Sequence, residues 1–163
     1  MVVMKANVHR SQHADPFNRL GKRNTSNTTR RSYNCGGYAL ETFSWYEPTD
    51  KANPSWRDFC FESAEEAEKK TKKCVRAMLR EFPTLRVVET LADVWPDEYA
   101  IMFRLSDDGD FHFLKRDKRG HWRHKCGEWK VKTIKVAKIF ESWQFGRYNG
   151  PIVIMAKQIS KTS

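Results

Sequence analysis

No stretch of this 163-residue chain comes near the ~18–20 consecutive apolar residues that a bilayer-spanning helix needs. The opening segment MVVMKANVHRSQH has no apolar centre of the kind a secretion signal carries. Together these absences predict a cytoplasmic protein. Cysteine is scarce: Cys35, Cys60, Cys74 and Cys126 include no C-x-x-C pair and are too few for a disulfide-built scaffold, so reduced thiols are expected. Their spacings of 25, 14 and 52 residues match no zinc finger or ribbon, Cys74 falls on a core stripe, and Cys126 is read as facing away from His124. Neither a metal nor another cofactor is therefore expected. Acidic residues are nearly missing from one region: residues 1–32 hold Asp15 alone against seven Lys and Arg.

The chain as a whole carries 30 Lys and Arg against 20 Asp and Glu, a net charge of +10. A second basic stretch, 115–138, has ten Lys and Arg against Asp117 and Glu128. Arg30 and Arg31 in the arm, with Lys115, Arg116, Arg119, Arg123 and Lys125 in the stretch, are candidate contacts to nucleic acid or to an acidic protein partner. Trp122 and Trp129 interleave with these cations, a mixture able to stack bases. No KH or RNP signature accompanies it. Solvated surface accounts for the same charge equally well.

Residues 18–32 (NRLGKRNTSNTTRRS) lack apolar periodicity, so 1–32 reads as a basic, flexible arm and 33–163 as the one compact domain. Within that domain, Leu40, Phe43 and Tyr46 share one helical face, with Pro48 closing the helix. Ser63 and Glu66 make a capping-box pattern that opens a longer helix. Its stripe is Ala64, Ala67, Thr71, Cys74, Val75, Met78, Leu79 and Phe82, and Pro83 ends it. The second half is β-prone in short runs: 86–89, 99–106, 111–116, 121–125, 131–140 and 151–159. Turns fall at 107–110 and 117–120, and between Gly146 and Gly150. Helices first and an antiparallel sheet after predict an α+β fold with the helices packed on the sheet. The six Trp read mostly as core or cleft walls.

Cys35 opens the first helix, where free amides and the helix dipole favour a thiolate and hold an oxyanion. Gly36 and Gly37 are poor helix formers and are read as keeping that sulfur open to substrate. A lone cysteine there is otherwise a small buried helix-cap residue. His112 sits between Phe111 and Phe113, and His124 follows twelve residues later. A three-residue loop, 117–119, pairs 116 with 120 and sets the two imidazoles directly opposite on one face. A thiolate, an imidazole base and a group that fixes the base's tautomer are what nucleophilic cysteine catalysis requires. Cys35, His112 and His124 fill those roles. Asp110 is a second candidate orienter, and Tyr33, Asn34 and Gly36 are candidate oxyanion or substrate contacts, with Asn34 also suited to a helix N-cap. His121 is placed at the turn, exposed, and His9 and His13 in the arm are incidental.

These residues resemble the NlpC-type branch of papain-like cysteine peptidases, in which a helix-opening Cys meets a strand His and a polar residue on the next strand. The pairing of Asn34-Cys35-Gly36-Gly37-Tyr38-Ala39-Leu40 with Asp110-Phe111-His112-Phe113…Asp117…Gly120, Trp122, His124, Lys125 and Gly127 is similar to that in short bacterial and bacteriophage proteins. The resemblance covers 33–127. It implies a papain-like fold with Cys35 as nucleophile, His112 as base and His124 as orienter, acting as a peptidase, amidase or deamidase on an amide bond. Asn-Cys-Gly-Gly replaces the usual Asp-Cys-Ser-Gly, and Asp-Phe-His-Phe replaces Gly-His-Val-Gly, changes that touch the substrate cleft. The alternative expectation is a phage or bacterial interaction protein on the same scaffold without catalysis. Its basic arm and stretch would bind nucleic acid or a host defence complex in the host cytoplasm.

Overall fold

The computed structural model describes residues 31–128, 130–134 and 149–160. Among the described residues, six antiparallel strands form one sheet with two α-helices packed on it, an α+β architecture. The helices are α1 (Cys35–Ala39) and α2 (Ala64–Glu81). The strands are β1 (Leu85–Val88), β2 (Glu98–Leu105), β3 (Phe111–Arg116), β4 (Trp122–Lys125), β5 (Val131–Ile134) and β6 (Val153–Gln158). Their order across the sheet is β1-β6-β2-β3-β4-β5, so the last strand lies between the first two. Among the described residues no helix is long and apolar enough to cross a membrane. The arm up to Arg30, the continuation of the 131–140 run beyond Ile134, the Gly146 end of the last turn, the Trp129 side chain and Trp143 lie outside the described residues.

Helix α2 forms for local reasons. The Ser63 hydroxyl accepts from the Glu66 amide, and acidic Glu65 and Glu66 stand in the first turn, where the helix dipole favours them. The capping is not fully reciprocal as predicted: the Glu66 carboxylate reaches one residue further back, to the Glu62 amide. Ala67, Thr71, Cys74, Val75, Ala77 and Met78 are buried. Ala64, at the helix start, and Leu79 of the expected stripe are exposed and Ala77 is buried, because the face that rests on the sheet is rotated toward Ala77 and away from Leu79.

The first helix is much shorter than the 35–46 face implied. After Leu40 the chain reverses through Glu41 and Phe43, both at positive φ (60° and 51°), with the Gly37 carbonyl accepting from the Thr42 and Phe43 amides. The returning segment packs onto the first turn of α1. A Cβ on Gly37 would stand 1.9 Å from the Ser44 carbonyl oxygen, and one on Gly36 2.9 Å from the Tyr46 ring. The two glycines therefore serve close packing of chain on helix, which corrects the reading that they keep the sulfur open to substrate.

Alternation divides the sheet's residues between two faces. Ile101, Phe103, Leu105, Phe111, Phe113 and Met155 join Cys35, Cys74 and Met78 in the main core. Ala100, Met102, Leu114 and Trp122 form a second cluster, with Ile134 and Ile154 against it. Trp122 is 2% exposed, so it is core and unavailable for base stacking, whereas Trp56 and Trp95 are exposed and are neither core nor buried walls. Trp95 carries the Arg86 guanidinium 4.0 Å from its ring centroid.

Candidate active site

Asn34 begins the site. Its side-chain oxygen caps α1 by accepting from the Gly37 amide, and also accepts from the Tyr46 amide, both at 3.0 Å. Its amide nitrogen donates to the Tyr46 carbonyl at 2.8 Å. One buried side chain thus closes the helix start and clamps the returning segment to it, a helix cap rather than a substrate contact. Tyr33, 2% exposed, has its carbonyl bonded to the Lys125 ammonium and its ring edge-on to Phe43.

Cys35 is 5% exposed and belongs to the main core. Burial pushes its thiol up to about 12, and Asp110 and Cys126 add to the rise. The Phe113 amide, donating to the sulfur, and the Lys125 charge work in the other direction without winning. The expectation of a thiolate-favouring helix start is thereby corrected: α1 has five residues, its Gly37 and Tyr38 amides are spent on Asn34, and desolvation outweighs what remains. Among the described residues no hydrogen bond joins this sulfur to either imidazole. The contact it does make is with the peptide amide immediately after His112.

The two imidazoles meet. His112 Nε2 and His124 Nδ1 are 2.8 Å apart, the ring planes stand at 82°, and both residues are buried. They arrive there by a different register from the one expected. Arg116 pairs with Trp122 and Lys115 with Arg123, so the loop is 117–121 rather than 117–119. Asp117 builds that longer loop: its carboxylate accepts from the Arg119 and His121 amides, and its own amide donates to the His121 carbonyl. Shifting the register by two residues keeps every side chain on its face, so the rings meet diagonally instead of directly opposite. His121 is exposed. Burial, with Lys132 adding to it, pushes His124 down to about 4, so its ring is neutral at physiological pH.

Cys126 is the residue missed. The expectation that it faces away from His124 is corrected, since two positions along an extended chain return to the same face. Its sulfur lies 3.7 Å from His124 Nδ1, and the ligand atoms of His112, His124 and Cys126 all fall within 4.8 Å of one another. The period-two rule applied to 124 and 126 was the available signal. Asp110, the second candidate orienter, accepts from the Phe111 amide.

The basic stretch is only partly surface. Lys115, 6% exposed, pairs with Glu41 at 2.8 Å and lies over Tyr38, and Lys125, 0% exposed, donates to the Tyr33 and Gly127 carbonyls. Neither is available to a nucleic acid, so both leave the candidate binding set. Arg116 donates to the Gly120 carbonyl, Arg123 pairs with Asp117 at 3.0 Å, and Arg31 pairs with Glu128 at 3.6 Å. Arg119 is exposed. No protein-family model, curated protein or solved structure matches this chain.

Proposed function

We propose that the protein is a cysteine hydrolase of papain-like type, with Cys35 as nucleophile, His112 as base and His124 as the residue that orients it. The observation that supports this most is the buried His112–His124 hydrogen bond, one residue from the amide that touches the Cys35 sulfur. A proton on His112 Nε2, held by His124 Nδ1, leaves the lone pair of His112 on Nδ1, the tautomer a general base needs.

The resting thiol is protonated, and attack requires the sulfur to leave the Phe113 amide and reach His112. His112 Nδ1 takes the thiol proton as sulfur attacks an amide carbon. The oxyanion falls to the amides of Cys35 and Gly36, since those of Gly37 and Tyr38 are occupied. Collapse expels the amine, which takes the proton from His112, and a water deprotonated by the same ring hydrolyses the thioester.

An activated ester tests this without knowledge of the natural substrate. Incubation with p-nitrophenyl acetate is expected to give turnover and an acetyl group that peptide mapping places on Cys35. Cys35→Ser abolishes both, and His112→Ala slows turnover by about 10²–10⁴-fold with the circular-dichroism spectrum preserved. Acetylation confined to the half-buried Cys60, or unchanged turnover in His112→Ala, overturns the assignment. The alternative, a basic protein binding nucleic acid or a host protein, loses Lys115 and Lys125 to the interior and rests on Arg119 and the arm.

A further inference from the structure

Two groups converge on one atom: His112 Nε2 and Cys126 Sγ lie 2.8 and 3.7 Å from His124 Nδ1. Both imidazoles are buried and the thiol is half-buried, at the open end of the β3–β4 hairpin. We propose that His112, His124 and Cys126 form a zinc site with two nitrogen ligands, one thiolate and an open fourth position.

Distances favour it. Tetrahedral zinc, with bonds of ~2.0 Å to nitrogen and ~2.3 Å to sulfur, sets its ligands about 3.3 Å apart for two nitrogens and about 3.6 Å for nitrogen and sulfur. The Cys126–His124 pair already stands at that separation, and the two imidazoles need part by only about half an ångström. A borderline-soft donor set of this kind selects zinc over calcium or magnesium, which take oxygen. Strands β3 and β4 supply the two imidazoles and Cys126 follows β4 directly, so the three ligand atoms already lie within 4.8 Å of one another.

Binding balances simply. The zinc ion displaces one proton from the Cys126 thiol, and each imidazole binds neutral, with its remaining proton on the nitrogen that does not ligate. The ion takes the place of the His112–His124 hydrogen bond. It therefore separates base from orienter and holds the hydrolase inactive; that consequence, unlike the site itself, rests on the hydrolase reading.

The test uses the full-length reduced chain, titrated with zinc by calorimetry and with cobalt(II) by absorption. One equivalent of cobalt is expected, with the intense d–d bands of tetrahedral geometry and a thiolate-to-cobalt charge-transfer band, all displaced by zinc. Cys126→Ser removes the charge-transfer band and weakens zinc binding at least about tenfold. His124→Gln weakens it similarly, with circular dichroism reporting an intact fold. Cys35→Ser keeps both band and affinity, so the result is independent of whether Cys35 is a nucleophile. A non-tetrahedral spectrum, no binding at micromolar zinc, or unchanged binding in Cys126→Ser overturns the site.

Discussion

The thiols of Cys35 and Cys74 are matched in burial, 5% and 4% exposed, and burial pushes each up to about 12. They differ in what stands beside them. Cys35 opens α1 against the strand that carries His112, whereas Cys74 is in the middle of α2. Packing alone therefore gives the two thiols equally slow alkylation. A nucleophile served by His112 must react faster. Iodoacetamide near neutral pH, followed by peptide mapping of the folded protein, is expected to label Cys35 at least about tenfold faster than Cys74. Equal rates would identify Cys35 as a packing residue.

The depressed His124 pKa makes stability depend on pH. Its folded value of about 4 lies below the usual 6.5, because burial, and then Lys132, disfavour the charged ring. The unfolded chain takes up this proton first, so the stabilisation is complete above pH ~6.5 and is lost as pH falls toward 4. The loss amounts to about 3 kcal/mol by pH 4. Urea unfolding of the wild type and His124→Gln at neutral and acid pH measures it. The variant is expected to lack this part of the acid destabilisation, and parallel pH profiles would show that His124 is not the group responsible.

Gly37 has no space for a side chain. A Cβ would meet the Ser44 carbonyl oxygen at 1.9 Å, and with the Ser44 backbone and the Tyr33 Cβ as its neighbours there is no flexible side-chain end to yield. Gly37→Ala is expected to cost about 3 kcal/mol or more, by forcing apart the helix and the segment that Asn34 clamps to it. A midpoint in urea within experimental error of wild type would mean that this segment moves away at little cost.

Lys125 is a structural cation. Its ammonium is buried, bonded to two carbonyls and 4.5 Å from the Tyr33 ring centroid. Lys125→Met is expected to lower stability by about 1–3 kcal/mol, since it leaves the buried Tyr33 carbonyl and the half-buried Gly127 carbonyl without their donor. Retention of labelled nucleic acid on a filter at ~50 mM salt, if the protein binds any, is expected to fall with Arg119→Ala and not with Lys125→Met. The reverse pattern would return Lys125 to the surface.

Much of this architecture is written locally. Ser63 and Pro83 bracket α2 because a hydroxyl caps its first amides and the proline ring cannot continue its end. The runs at 99–106, 111–116 and 151–159 become β2, β3 and β6 almost residue for residue, since each alternates or concentrates apolar side chains. Even the meeting of His112 with His124 was legible, because face parity survives a wrong loop length.

Periodicity, capping and turn residues therefore determined the elements, and residue parity brought two imidazoles to one face. Only the tertiary structure decided the rest. That the last strand enters between β1 and β2, that Ser44 passes over Gly37, and that Lys115 and Lys125 point inward all depend on contacts between residues far apart in the chain. The ionisation of Cys35 was decided the same way. Helix-start amides act over a few ångströms and are visible in the sequence, but the desolvation that overrides them comes from a core assembled out of every element.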